Sequence, residues 1–313
     1  MDRIVILGAG HVGSMCALNL ALQGVGKEIV LIDILEEKAD AQAKDVTDAT
    51  IFMKRVPVIR KGSYRDCDEA AIIVNAVGVS RQPGQTRLDM LDVTVDIMKE
   101  VIGKLKETRF DGIFISISNP CDVIANYARL HLNLPEGHVF GTGTALDTAR
   151  LRVTLSQLTG LSDESFQCFA MGEHGNSSMI PMSNVRIMGK LLEELKQEDP
   201  ERLGKVTEAV LLERTHELGN EIVEGKGSTE FGIGAAAAEI CRAVLEDEKK
   251  VLPVSAHLVN SYGQRDIMAG VPAIIGKNGV EKIIELHLTD REQNQFNSSC
   301  DVIRSYVEKA EKR

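Results

Sequence analysis

The stretch from Ile4 to Asp33, IVILGAGHVGSMCALNLALQGVGKEIVLID, decides the fold. A short apolar run ends in Gly8-Ala9-Gly10-His11-Val12-Gly13, a helical pattern follows, and a second apolar run ends in Asp33. In such a strand-to-helix turn Gly8 permits the tight bend, Gly10 lets the backbone approach a pyrophosphate, and Gly13 lets the helix pack close to the strand. The helix N-terminus then offers N–H groups and a positive dipole end to the phosphates. Asp33 lies twenty residues past Gly13, at the end of the second strand, where a carboxylate can hold both hydroxyls of a ribose. A glycine fingerprint alone is a weak signal, but strand, helix, strand and acid in this order point to a dinucleotide. Asp33, Glu36 and Glu37 would repel a 2′-phosphate, which favours NAD over NADP.

Outward from this unit, strand and helix patterns keep alternating through the first half of the chain. Residues 71–78 (AIIVNAVG) and 112–118 (GIFISIS) are short, apolar on both faces and rich in β-branched residues, as strands between two helical layers are. Val139-Phe140 reads as the last strand of this half. The expectation is an α/β protein: a Rossmann-type doubly wound parallel sheet over residues 1–140, then an α+β domain over 141–313. Long helices are expected from Leu191 to Glu224, with a break near Pro200, and from Ala235 to Leu245. The capping box Thr289-x-x-Glu292 opens a last amphipathic helix bearing Phe296, Val302, Ile303 and Val307.

Composition narrows the partners. A formal charge of −10 is the wrong sign for a nucleic-acid footprint, and no apolar run is long enough to span a membrane. A first strand at Ile4 leaves no room for a signal peptide ahead of it. The six cysteines are scattered, without CxxC spacing, so free buried thiols in a reducing cytoplasm are expected and neither disulfides nor a metal site.

Four clusters outside the glycine loop carry candidate chemistry. Arg81 and Arg87 flank Gln82-Pro83-Gly84-Gln85-Thr86 in a polar loop directly after a strand, where they could fold over an anion. Ser118-Asn119-Pro120 closes another strand, at the edge where open parallel sheets bind ligands. Asp147 and Arg150 share one helix face at i,i+3. His174 stands in Gly172-Glu173-His174-Gly175-Asn176, where flanking glycines leave an imidazole accessible for proton transfer. Read alone, the first three are equally well a solvated basic loop, a turn signal and a helix ion pair.

In order and spacing, GAGHVG, the arginine-bearing Pro-Gly loop, SNP, LDTAR and GEHGN resemble the L-lactate and malate dehydrogenase family. Lys226-Gly227-Ser228-Thr229 and Gly270-Val271-Pro272-Ala273 agree with it, so the resemblance covers essentially the whole chain. It implies NAD-dependent hydride transfer between an L-2-hydroxy acid and its 2-oxo acid, usually in a homodimer or homotetramer. It makes His174 the acid/base, Asp147 the group that orients it, Arg150 the clamp on the substrate carboxylate and Arg87 the group that polarises the carbonyl. It sets Asn119 near the nicotinamide or the substrate oxygen, and Thr229 near the substrate side chain.

The substrate indicators conflict. In that family the loop residue six before the catalytic arginine reads the group on C3, glutamine accompanying lactate and arginine accompanying malate; here it is Arg81. Thr229 and GTGTALDTAR are similar to the lactate branch. Asn176 in place of aspartate, with Asn184–Gly189, is similar to the branch acting on L-2-hydroxyisocaproate. The order of expectation is lactate, then malate, then a branched acid. The resemblance further implies a fructose 1,6-bisphosphate site using Arg152, but its histidine partner is replaced by Gln167, so weak or no binding and kinetics largely insensitive to that effector are expected. An NAD-dependent glycosidase would need a metal-binding Cys–His pair, and a non-catalytic NAD sensor would lack the His or Arg present here.

Overall fold

Strands of three to five residues, joined by helices, build the first half of the computed structural model. It describes residues 2–53, 56–79 and 87–313, with the backbone alone for 87–90. The elements are β1 (Arg3–Leu7), α1 (His11–Gln23), β2 (Glu28–Ile32), α2 (Glu36–Thr50), β3 (Val58–Lys61), β4 (Ile72–Asn75), α3 (Arg87–Lys106), β5 (Ile113–Ser116), α4 (Cys121–His131) and β6 (Val139–Gly141). Strands β3-β2-β1-β4-β5-β6 pair in parallel in that order. The order reverses between β1 and β4, which opens a ligand crevice beyond their C-terminal ends. Every residue of β4 and β5 is buried, as the unbroken apolar runs require.

The second half begins with α5 (Ala145–Thr159), then the short strands β7 (Phe166–Gln167), β8 (Arg186–Ile187) and β9 (Lys190–Leu191). After them come α6 (Leu192–Glu198), α7 (Pro200–Leu203), α8 (Glu208–Lys226) and α9 (Phe231–Leu245). Strands β10 (Lys250–Leu258), β11 (Ile267–Gly276) and β12 (Gly279–Ile283) precede α10 (Asp290–Glu311). One apolar core fills both faces of the large sheet; a second, containing Leu151, Phe166, Ile180, Leu192 and Leu211, lies beneath α5, α8 and the small sheet.

Two expectations need correction. The helical stretch expected over 191–224 does break at Pro200, after the Asp199 cap, but it breaks a second time: Thr207, accepting the Val210 N–H, starts a third helix. Helix α9 begins at Phe231, a turn before Ala235. Beyond β6 the sheet continues into the second half: β10 lies antiparallel beside it, Ser255 opposite Gly141, and with β11 and β12 completes nine strands. The capping box stands as read, with Thr289 and Glu292 bonded reciprocally and Phe296 and Ile303 buried on α10. All six cysteines are free and buried. No helix among the described residues is long and apolar enough to cross a membrane.

Candidate active site

The glycine loop leaves β1 and meets the crevice with each glycine in a different situation. Gly8 has φ +94°, and a Cβ there would stand 2.7 Å from the Ala76 carbonyl oxygen on the neighbouring strand end. A Cβ on Gly13 would fall 1.8 Å from the Gly8 carbonyl oxygen, so the helix can approach the strand only without one. Nothing lies within 4 Å of a Cβ on Gly10, which leaves open space against its backbone. Helix α1 has no side-chain cap, so its first N–H groups face that space. Asp33, at the end of β2, accepts from the Ala9 N–H at 2.7 Å and the Leu35 N–H at 3.0 Å. Its carboxylate is thereby tied to the loop and half-exposed beside it. Uncapped helix, open glycine and acid together fit a dinucleotide pyrophosphate and ribose.

Across the crevice, α5 presents Asp147 and Arg150 one turn apart. Asp147 Oδ2 accepts from His174 Nδ1 at 2.6 Å, and Asp147 Oδ1 lies 3.7 Å from the Arg150 guanidinium. Negative charge on Asp147 pushes the His174 imidazole up to about 9, against the opposing effect of burial. Burial works to raise Asp147, but the neighbouring His174 charge overrides it and holds the carboxyl below its ordinary value. Among the described residues, Asp147 is the one polar partner of Arg150, which leaves most of its N–H groups for a ligand. Gly219 of α8 makes room for that guanidinium: a Cβ there would sit 3.1 Å from its nitrogen.

Asn119 and Thr229 stand beside elements that border the same crevice. Asn119 is exposed at the end of β5, joined to Pro120 by a cis peptide bond. Thr229 is half-buried just ahead of α9. The first turn of α9 is wedged between α1 and α5: a Cβ on Gly234 would meet Met15 at 2.8 Å, and one on Gly232 would meet Leu146 at 2.8 Å. Thr229 stands two residues ahead of that turn. Arg87 opens α3, with its side chain outside the described residues; Arg81 lies outside them altogether. Asn176 is exposed on the His174 loop. Arg152 bonds the Asp163 carbonyl at 3.1 Å and approaches its carboxylate, while Gln167 is exposed on β7.

One residue escapes the sequence reading. Asp122, buried at the start of α4, accepts from the His174 backbone N–H at 2.8 Å. An acid in a first helical turn is an ordinary helix-start signal, so nothing in the local pattern ties it to a loop 52 residues away.

Two family models divide the chain: lactate/malate dehydrogenase, NAD binding domain, over residues 2–141, and lactate/malate dehydrogenase, alpha/beta C-terminal domain, over 144–313. The chain belongs to the lactate/malate dehydrogenase family. It is an NAD-dependent 2-hydroxy acid dehydrogenase, similar to L-lactate dehydrogenases over its whole length. L-lactate dehydrogenase 3 of Bacillus thuringiensis subsp. konkukian is 39% identical over 305 residues, 97% of this chain and 96% of that one. The ligand-bound minor L-lactate dehydrogenase of Enterococcus mundtii superposes with a TM-score of 0.95 at 35% identity, covering 98% of both chains. The malate dehydrogenase of Cryptosporidium parvum gives 0.92 at 29% identity, covering 100% of this chain and 99% of that one.

Proposed function

We propose that this dehydrogenase interconverts pyruvate and L-lactate, with His174, Asp147, Arg150, Arg87, Asn119 and Thr229 around the substrate. The observation that carries this reading is the 2.6 Å contact of His174 with Asp147, whose other oxygen faces Arg150. When bound between the glycine loop and Asp33, NADH supplies the hydride to the carbonyl carbon. His174, with Nδ1–H held by Asp147, donates its Nε2 proton to the carbonyl oxygen in reduction and takes it back in oxidation. Asp147 stabilises the imidazolium and fixes its ring. Arg150 grips the substrate carboxylate with two parallel N–H bonds. Arg87 polarises the carbonyl, and Asn119 bonds near the nicotinamide or the substrate oxygen.

Thr229, two residues ahead of the α9 turn that packs between α1 and α5, supports a small C3 group and hence pyruvate. A second reading, oxaloacetate and malate, rests on Arg81 and the charge it would offer a second carboxylate; a branched 2-oxo acid ranks third. Residues 1–140 serve the dinucleotide and 141–313 the substrate. The free buried thiols support a cytoplasmic setting. Exposed Ile51, Phe52 and Val58, Phe52 at 92% exposure, support association into a homodimer or homotetramer, which light scattering of the purified protein would measure. NADH oxidation with pyruvate, oxaloacetate and 2-oxoisocaproate side by side tests the substrate. The highest kcat/KM with pyruvate is expected, and a higher value with oxaloacetate would replace the first reading by the second.

A further inference from the structure

His11 is the one residue of Gly8–Gly13 that can carry positive charge. It opens α1 directly after Gly10, whose backbone faces open space, and its side chain is 74% exposed. Its Nδ1 lies 3.7 Å from Glu230 Oε2, on the turn that also carries Thr229.

Glu230 is itself held in place. Oε1 accepts from Lys226 Nζ at 2.6 Å and Oε2 from Ser228 Oγ at 2.5 Å. Lys226 lies in turn over the Phe231 ring, 3.8 Å from its centroid. The Lys226 and Ser228 donors hold the Glu230 carboxyl below its ordinary value, so it is ionised at neutral pH. Glu230 directly precedes α9 yet makes no cap bond to that helix. Its carboxylate turns back over its own turn and presents Oε2 to His11.

The fold gains little from an exposed pair at this distance. The place of the pair gives it a different use. The uncapped N-terminus of α1 would receive an anionic pyrophosphate in a crevice edged by acids. Of the elements packed on α1, the ends at that edge of the sheet carry Asp33 after β2, Glu36 and Glu37 at the start of α2, and Glu230 ahead of α9 with Lys226 behind it. A cation on the loop itself offsets that negative charge. An imidazole ordinarily titrates at about 6.5, and a phosphate beside it favours the charged form.

We propose that His11 is a further cofactor-binding residue: Glu230 holds its imidazole beside Gly10, where it takes up a proton and pairs with the pyrophosphate of the bound dinucleotide. The proton is taken from solvent and returned there on release, which links binding to pH. The proposal rests on the dinucleotide site at the glycine loop, inside the NAD binding domain of residues 2–141.

The test uses the whole enzyme without substrate. NADH binding is followed by fluorescence, ADP-ribose binding by displacement of NADH, and the His11 imidazole by NMR as the resonance lost in His11→Ala. In the unmodified enzyme the His11 midpoint should rise when ADP-ribose binds, and both affinities should weaken as pH rises through the imidazole range. His11→Ala should lower both affinities about fivefold at and below neutral pH, the upper end for an exposed ion pair, and remove that pH dependence. His11→Lys, charged throughout the range, should restore affinity without the pH dependence. In a Glu230→Ala background the loss caused by His11→Ala should shrink, because the ring is no longer held. A His11 midpoint that ADP-ribose does not move, or affinities in His11→Ala equal to the unmodified enzyme's at every pH, would overturn the proposal. An equal loss in the Glu230→Ala background would remove Glu230 from it. His11→Asn serves the same comparisons should the alanine variant fail to fold. An unmodified enzyme that bound neither NADH nor ADP-ribose would instead remove the dinucleotide site on which the proposal stands.

Discussion

Asp147 Oδ2 stands 2.6 Å from His174 Nδ1, joining a helix of the second half to a loop 27 residues further along the chain. The carboxylate favours the charged imidazole, and the folded protein holds it at about 9 against an ordinary 6.5. At neutral pH the site is therefore loaded with the proton that reduction consumes.

This fixes the pH dependence in both directions. The kcat/KM for pyruvate reduction should be level near neutrality and fall as pH rises through about 9, while lactate oxidation rises over the same range. Asp147→Asn should move both transitions toward 6.5, which stopped-flow profiles would show as a reduction limb falling already near neutrality. The same shift contributes to stability. A histidine held above its unfolded value stabilises the fold fully below 6.5, and the contribution is lost as pH rises through 9. Thermal unfolding of the two proteins should accordingly differ most at neutral and acid pH and converge above the upper value.

Arg150 is the next test. Lysine keeps the charge but cannot make two parallel bonds to a carboxylate. Arg150→Lys should lower kcat/KM for pyruvate by about 1.5–3 kcal/mol, roughly ten- to 150-fold, with NADH affinity unchanged. Steady-state kinetics at fixed saturating NADH would measure it, and an unaffected kcat/KM would place the substrate carboxylate elsewhere.

Asp33 bears on the cofactor. Its carboxylate holds the Ala9 N–H and is the proposed ribose acceptor, so Asp33→Ala should both loosen the glycine loop and remove that acceptor. Weaker NADH binding and a narrower preference over NADPH are expected from fluorescence titration with both cofactors. Equal use of the two by the unmodified enzyme would contradict the assignment.

What the sequence made legible follows from chemistry that leaves local marks. Gly8, Gly10 and Gly13 could be read because a Cβ is excluded at two of these positions and the third faces open space. Thr289 and Glu292 could be read because a capping box is written within four residues. Asp147 and Arg150 were nearby by helical periodicity, but their meeting with His174 is tertiary and was suggested only by resemblance. Asp122 left no mark, since its partners lie 52 and 133 residues away. Strands β10 and β11 carry Pro253 and Pro272, a residue type that argues against interior strands; the two face each other in one antiparallel pair. The Asn278-Gly279 step at their far end was the hairpin signal that could have revealed β11 and β12.

Arg81 decides between the two substrate readings. If its guanidinium meets a second carboxylate, Arg81→Gln should depress oxaloacetate turnover far more than pyruvate turnover, since hydrogen bonds to charged groups contribute about 1.5–3 kcal/mol each. The ratio of the two kcat/KM values is the readout. A ratio that does not move removes Arg81 from substrate selection.

The central claim is that His174 moves the proton while the glycine loop holds the cofactor. Single-turnover pyruvate reduction by His174→Ala, with NADH binding measured on the same sample, tests it most directly. The account predicts intact NADH binding and a rate lower by on the order of 10²–10⁴-fold, the usual contribution of a positioned acid. A near-normal rate in that variant would contradict it and make the 2.6 Å pair with Asp147 a structural contact alone.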